Sequence, residues 1–201
     1  MDTSKPTLII ATDTKTFDLT PWIQEGYNAL HVPGASCRAI ENATDDIEDN
    51  TKCAIIAFGR SATNALALAT SSLPSLLAVI AYYPPSLPCA PRGFHPGVRV
   101  LIHLPSTTPF SPAADPPHLT VRVYTDVGAG FAEEGLEGYD RIAAGLAYSR
   151  SLDLLRRTIG PDMDLEDVWS EHSFYEFLEM GAEKAISAMV AEPYVNNVPT
   201  C

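Results

Sequence analysis

Basic residues are scarce in this sequence. Its 201 residues include 13 lysines and arginines against 25 aspartates and glutamates, so the formal net charge is −12. A surface this negative repels phosphate backbones and anionic lipid headgroups, and no basic stripe offsets it. We therefore expect neither a nucleic-acid partner nor a membrane partner.

Paired cysteines and long apolar runs are missing as well. The four cysteines form no CxxC pair and no metal-finger spacing, so we predict neither a metal nor a cofactor. Cys53 lies in an apolar run, where a buried reduced thiol is expected. The longest apolar stretches are shorter than a membrane span, and the first residues lack the features of a signal peptide. These absences predict a cytoplasmic protein.

Six short apolar segments are present, with helical or turn segments between them. The third to fifth are almost continuously apolar, which is typical of parallel strands buried on both faces. The sixth alternates, as an edge strand does. The predicted strands are Thr7–Ala11, Tyr27–Val32, Lys52–Phe58, Leu76–Tyr82, Val98–Leu104 and Leu119–Tyr124.

Helical patterns at Phe17–Glu25, Ser61–Ser71 and Tyr139–Ile159 complete a strand–helix–strand rhythm. The fold class predicted is α/β: a doubly wound, mostly parallel sheet of about six strands in residues 1–160. After Gly160 the pattern changes, and two further helices are predicted within an extension, residues 161–201. We expect this extension to pack on the first domain or on a partner, and the latter would give a homodimer through the C-terminal helices.

The sharpest local motif is AIIAFGRSATNALALA, an apolar strand that runs through Gly59 and Ser61 directly into a helix. A nucleophile elbow needs this strand–turn–helix context, with small residues two positions from the nucleophile. Ser61 is then the candidate nucleophile, and the N–H of Ala62 a candidate half of an oxyanion hole. Thr63 fits the pattern less well than a glycine. The alternative interpretation is that Ser61 is the helix N-cap.

Several segments resemble the dienelactone hydrolase family, and more closely its fungal dienelactone-hydrolase-like members. They are AIIAFGRSATNALALA, LLAVIAYYPPSLP, VRVLIHLPSTTPFSP, VRVYTDVGAGFAEEGLEGYD and AAGLAYSRSLDLLRR, in the family's order and spacing. The resemblance implies a reduced α/β-hydrolase fold. The tail from Asp164 resembles the opening helices of a SnoaL-like domain, which follows the hydrolase-like domain in some fungal two-domain proteins.

The same resemblance implies a degenerate catalytic triad. The family places an aspartate after the strand that matches Val98–Leu104, where this chain has Thr107 and Thr108. It places a histidine after a Gly-Ala-Gly segment, where this chain has Phe131. A serine without an adjacent base is a weak nucleophile, and losing triad members costs roughly 10⁴ to 10⁶ in turnover.

Substitutes for the missing groups are available in the sequence. His103 lies in the fifth strand and is either a relocated base or a satisfied structural histidine. The loop after the first strand matches the place of the family's second oxyanion donor. There Asp13 is a candidate catalytic residue and Thr14 a candidate substrate contact, although a solvated polar loop is the more usual interpretation of such residues.

The predicted pocket combines small hydroxyl groups with aromatic side chains. Tyr82 and Tyr83 end the fourth strand beside the elbow, either as donors to a ligand or as packing residues. With Thr107, Thr108 and Phe131 they predict a site for an apolar, oxygenated small molecule.

Three functions are consistent with these observations. The first is an enzyme of fungal secondary metabolism. It would catalyse a cyclisation, isomerisation or elimination reaction of a polyketide-like or terpenoid-like substrate, without hydrolysis. The second is an ester or lactone hydrolase that uses Ser61. The third is a ligand-binding protein without catalytic activity.

Overall fold

A six-stranded parallel sheet forms the core of the unit Met1–Pro161. The computed structural model describes residues 5–34, 36–47, 51–87, 93–108, 118–161, 170 and 173–174. The fold class predicted from the sequence is confirmed, and every predicted strand end lies within one residue of the observed one. The strands are β1 (Thr7–Thr12), β2 (Asn28–Pro33), β3 (Cys53–Phe58), β4 (Leu76–Tyr82), β5 (Arg99–Pro105) and β6 (Leu119–Tyr124).

The burial of each strand follows from its place in the sheet. The strand order is β2-β1-β3-β4-β5-β6, and all neighbours are parallel. Strands β1 and β3 are buried at every position, which explains their unbroken apolar sequence. The edge strands β2 and β6 alternate between more and less exposed positions, as period-2 side chains with one covered face must.

Helices cover both faces of the sheet. The helices are α1 (Thr20–Gln24), α2 (Cys37–Asp45), α3 (Gly59–Leu68) and α4 (Arg141–Thr158). Helices α1 and α4 share one apolar cluster with the sheet, and α2 and α3 share the other. Helix α2 was not predicted from the sequence. Its N-cap is Ser36, whose hydroxyl accepts from the N–H of Ala39 at 3.2 Å.

The strand order reverses direction between β1 and β3. The chain moves outward from β1 to β2 on one side and from β3 to β6 on the other. In open α/β sheets such a switch point leaves a crevice at the carboxyl ends of the two central strands, where ligands bind. The loops after β1 and β3 are therefore the first place to look for a site.

The chain divides into two compact units, Met1–Pro161 and Asp162–Cys201. Nearly all described residues belong to the first unit. Three expectations concern residues mostly outside the described ones: the resemblance of the tail to a SnoaL-like domain, its two helices and the homodimer. They stay predictions. The cytoplasmic location also stays a prediction. In the described part of the chain, no helix combines the length and apolarity needed to cross a membrane.

Cys53 is buried and free, and burial raises the pKa of its thiol to about 12.

His103 is a structural residue of the sheet. Its Nδ1 lies 2.8 Å from the hydroxyl of Tyr124, and its Nε2 lies 3.0 Å from Oγ of Ser151. Ser151 donates its single proton to the carbonyl of Ala147, so its Oγ accepts from His103 Nε2–H and from the hydroxyl of Tyr82 at 2.8 Å. Burial first, and the nearby arginines second, lower the pKa of His103 to about 3. The predicted catalytic role of His103 lacks geometric support, because both ring nitrogens are used inside the core.

This burial makes stability depend on pH through His103. The folded protein keeps the ring neutral, whereas the unfolded chain binds a proton below pH 6.5. Stability from this group is therefore complete above pH 6.5 and is lost as pH falls toward 3. Between pH 7.5 and 5.5, the free energy of unfolding of the wild-type protein should fall by about 1.4 kcal/mol more than that of His103→Phe. Urea unfolding at both pH values measures this, and equal pH slopes would contradict it.

Candidate functional site

The turn from β3 into α3 is tight, and its strained residue is Gly59. Gly59 has φ +58°, a conformation that glycine adopts without the steric cost of a Cβ. The residue before it, Phe58, is the helix N-cap, and Ser61 is the third residue of α3. The structure therefore corrects two expectations: Ser61 is not at the strained turn, and it is not the N-cap. In an elbow the nucleophile occupies the strained position, and here that position has no side chain.

The N-terminus of α3 is capped by Asp13, from the loop after β1. Oδ2 of Asp13 accepts from the backbone N–H of Arg60 at 3.2 Å, and Oδ1 accepts from the hydroxyl of Ser61 at 3.0 Å. Nε of Arg60 lies 3.6 Å from Oδ2. A carboxylate is stabilised there by the partial positive charge of the helix end and by an otherwise unpaired N–H. Ser61 itself is fully buried.

Asp13 also crowds position 59, where the side chain of an elbow nucleophile would begin. A Cβ built on Gly59 would lie 3.1 Å from Oδ2 of Asp13, closer than side-chain carbons normally approach. The carboxylate thus lies beside the empty nucleophile position, at the helix end that stabilises an oxyanion in acyl transfer. Sequence analysis placed Asp13 at the site but did not predict this capping role.

A second polar pair lies at the end of β4. The hydroxyl of Tyr83 donates to Oε1 of Glu133, and both side chains are buried. Burial, and then the hydrogen bond and charge of Glu133, raise the pKa of Tyr83. Burial raises the pKa of Glu133, the hydrogen bond from Tyr83 opposes that rise, and the charge of Asp13 adds to it. The hydrogen-bonded pair of Asp13 and Ser61 and the pair of Glu133 and Tyr83 therefore interact electrostatically, through the charge of Asp13.

A cleft of about 830 Å³ opens on the face covered by α1 and α4. Its aromatic lining includes Phe58 and Tyr82, whose rings stack at 4.5 Å, and Trp22 and Tyr148, whose centroids are also 4.5 Å apart. Glu133 lies in its wall. The remaining lining residues are Thr14, Thr16, Phe17, Asp18, Pro21, Ala132, Glu134, Gly135, Tyr139, Arg141, Ala144 and Gly145.

The substrate contacts predicted from the sequence do not form one pocket. Thr14 and Tyr82 line the cleft, whereas Phe131 is fully buried and packs on Tyr124 at 4.9 Å. Thr108 closes a turn onto the carbonyl of Pro105. The cleft lining does not include Ala62, Tyr83, Thr107, Thr108 or Phe131.

Glu133 is the main functional candidate that sequence reasoning missed. It lies two residues after Phe131, in the segment that the family resemblance already singled out, but a lone glutamate in an acidic chain gives no signal. Only the fold shows that it is buried against Tyr83. Among the described residues, no cluster of His, Cys, Asp and Glu could hold a metal ion.

Comparison with solved structures identifies proteins of similar fold. One is a protein described as a dienelactone hydrolase from Klebsiella pneumoniae subsp. pneumoniae MGH 78578, with a TM-score of 0.54 and 14% identity over 76% of this chain and 88% of that chain. Another is MGS-M1, an α/β hydrolase enzyme from a Medee basin deep-sea metagenome library, with a TM-score of 0.53 and 16% identity over 76% and 84%. At this identity the likeness establishes the fold, which is that of the α/β hydrolases.

Sequence comparisons give no further assignment. No protein-family model matches the chain, and no curated protein matches it.

Replacing Gly59 tests the geometry of the turn. Gly59→Ala should lower the free energy of unfolding by about 1–2 kcal/mol, because an L-residue is strained at this φ and its Cβ meets Asp13. Gly145→Ala, in the open interior of α4, is the matched control and should raise stability by up to about 1 kcal/mol. Urea unfolding measures both, and equal effects would contradict the strained turn.

Proposed function

We propose that this protein is a small-molecule enzyme that uses the α/β-hydrolase fold for a non-hydrolytic reaction: a cyclisation, isomerisation or elimination. The observation that carries the proposal is the carboxylate of Asp13 at the N-terminus of α3, beside a glycine at the strained turn. An oxyanion formed at this helix end would meet a negative charge in place of unoccupied N–H donors. Acyl transfer loses its main electrostatic stabilisation there.

The state of Ser61 supports the same conclusion. Its hydroxyl is fully buried and donates to Asp13. Nucleophilic attack needs a base that removes this proton while the oxygen faces the substrate. Of the described histidines, His103 is engaged with Tyr124 and Ser151, and His31 lies 2.8 Å from Oγ1 of Thr12.

The cleft favours an apolar ligand without negative charge. Six of its 17 lining residues are aromatic, which suits stacking on a flat or polyunsaturated molecule. Three acidic side chains and one arginine line it, so an anionic ligand would be repelled on balance. Reactions of such neutral molecules are accelerated by positioning and a few hydrogen bonds. A polyketide-like or terpenoid-like substrate of fungal metabolism has this chemistry.

The second candidate is an ester or lactone hydrolase that uses Ser61. The descriptions of the structurally similar proteins favour it over the non-hydrolytic alternative, because they are hydrolases. One contact in this chain also supports it. The 3.0 Å hydrogen bond from Ser61 to Asp13 is short enough for direct proton transfer if the loop after β1 moves on ligand binding.

Covalent labelling separates the two candidates. We expect no adduct on Ser61 after incubation with a fluorophosphonate, and no hydrolysis of p-nitrophenyl acetate or γ-butyrolactone above the buffer rate. Intact-mass and peptide mass spectrometry provide the measurement. Ser61→Ala is the test variant, and Ser106→Ala, an exposed serine outside the cleft, is its control. An adduct that maps to Ser61 and disappears in Ser61→Ala would establish the hydrolase instead.

Ligand binding tests the cleft itself. We expect 2-naphthol, a neutral oxygenated aromatic, to quench the fluorescence of Trp22, because this indole lies in the cleft wall. Trp22→Phe should lose the saturable part of the quenching. Saturable quenching that is unchanged in Trp22→Phe would place the ligand elsewhere and contradict the proposed site.

A further inference from the structure

We propose that Glu133 is the proton-transferring residue of the cleft, and that Tyr83 is the positioning residue that holds it. This deepens the proposed function and rests on it, since the ligand enters the same cleft. The reaction class that follows is proton abstraction from a neutral carbon acid, as in isomerisation or elimination.

The carboxyl group of Glu133 is buried at the wall of the cleft. Glu133 is almost fully buried, yet it belongs to the wall of the 830 Å³ cleft. A carboxyl group buried beside apolar rings is costly to maintain unless it is hydrogen-bonded. Tyr83 donates one hydrogen bond to Oε1. A carboxylate has a second oxygen, which is the one that a ligand's proton would reach.

Tyr83 is held firmly in one conformation. Its φ of +38° lies in the left-handed region, which is strained and rare for a bulky residue. Its ring packs against Phe58 at 6.1 Å and edge-on against Phe131 at 5.6 Å. Its backbone N–H donates to the carbonyl of His103 at 2.8 Å. Strained residues of this kind concentrate at functional sites, and here the conformation aims the hydroxyl at Glu133.

The chemistry of Glu133 and Tyr83 suits a base and a fixed donor. Burial raises the pKa of Glu133, and the charge of Asp13 raises it further, which makes its carboxylate a stronger base than an exposed glutamate. The pKa of Tyr83 is also raised, so its proton stays on the phenol and the tyrosine acts as a fixed donor. A carboxylate whose pKa is raised in this way is better suited to accept a proton from a ligand than an exposed glutamate is.

The proton balance of such a step closes without a co-reactant. Glu133 takes a proton from the acidic C–H of the ligand, and the electron pair of that bond forms a new π bond. In an isomerisation the protonated carboxyl returns its proton to another carbon of the same ligand. In an elimination the electron pair expels a leaving group, and the carboxyl then loses its proton to water.

An elimination of known stoichiometry provides the probe. In 5-nitrobenzisoxazole a base removes the ring C–H proton, the N–O bond breaks, and a nitrile and a coloured phenolate form. The molecule is flat, aromatic and neutral, as the cleft requires. We expect the wild-type protein to accelerate this reaction over acetate at equal concentration, with a rate that rises with pH as Glu133 ionises.

Variants assign the activity to the pair. Glu133→Gln should lower kcat/KM by about 100-fold or more, the range in which a positioned base contributes. Tyr83→Phe removes the hydrogen bond that favours the carboxylate, so the midpoint of the pH–rate profile should move upward. A merely structural tyrosine would change the yield of folded protein but not this midpoint. Glu137→Gln, an exposed carboxyl of the same loop outside the cleft lining, is the matched control and should keep the wild-type rate.

Probe binding, followed by Trp22 fluorescence, separates the failure of this inference from that of the proposed function. If the probe binds but the wild-type protein shows no turnover, Glu133 is not the base. The same holds if Glu133→Gln retains the wild-type turnover. In both cases the cleft remains the ligand-binding site. If the probe does not bind, both proposals are overturned. Should Glu133→Gln fail to fold, the unshifted pH midpoint of Tyr83→Phe would overturn the assignment by itself.

Discussion

The carboxylate of Asp13 connects the polar groups at the end of the sheet where the parallel strands terminate. It caps α3 by accepting from the N–H of Arg60, and it accepts from the buried hydroxyl of Ser61. Because its charge adds to the cost of ionising Glu133, it also influences the pair at the end of β4. One side chain from the loop after β1 thus satisfies the end of a central helix and raises the pKa of a buried acid in the segment between β6 and α4.

The fold was accessible from the sequence because burial imposes a simple pattern on it. Strands covered on both faces, such as Cys53–Phe58, must be continuously apolar, and this signal is local. Helix α2 was not predicted, because few of its residues face the core: of its nine residues only Ile40 and Thr44 are buried. Its apolar periodicity is therefore too sparse to recognise.

The site was less accessible, because its geometry depends on backbone conformation and on distant contacts. Sequence analysis recognised the elbow but placed its strained residue at Ser61, and only φ shows that it is Gly59. The sequence makes His103 a candidate base, but in the fold both of its ring nitrogens are used by Tyr124 and Ser151. The pairing of Tyr83 with Glu133 joins residues 50 positions apart, and no local pattern indicates it.

The close approach of Gly59 and Asp13 constrains the order in which this chain could acquire substitutions. Any side chain at position 59 would place its Cβ 3.1 Å from the carboxylate, so a nucleophile there would require Asp13 to shift or to be replaced by a smaller residue. Replacing Asp13 first would leave the end of α3 uncapped and Ser61 without its acceptor. Each single exchange costs stability, so the two positions are epistatic, and a route through them to a nucleophilic hydrolase passes through a less stable intermediate.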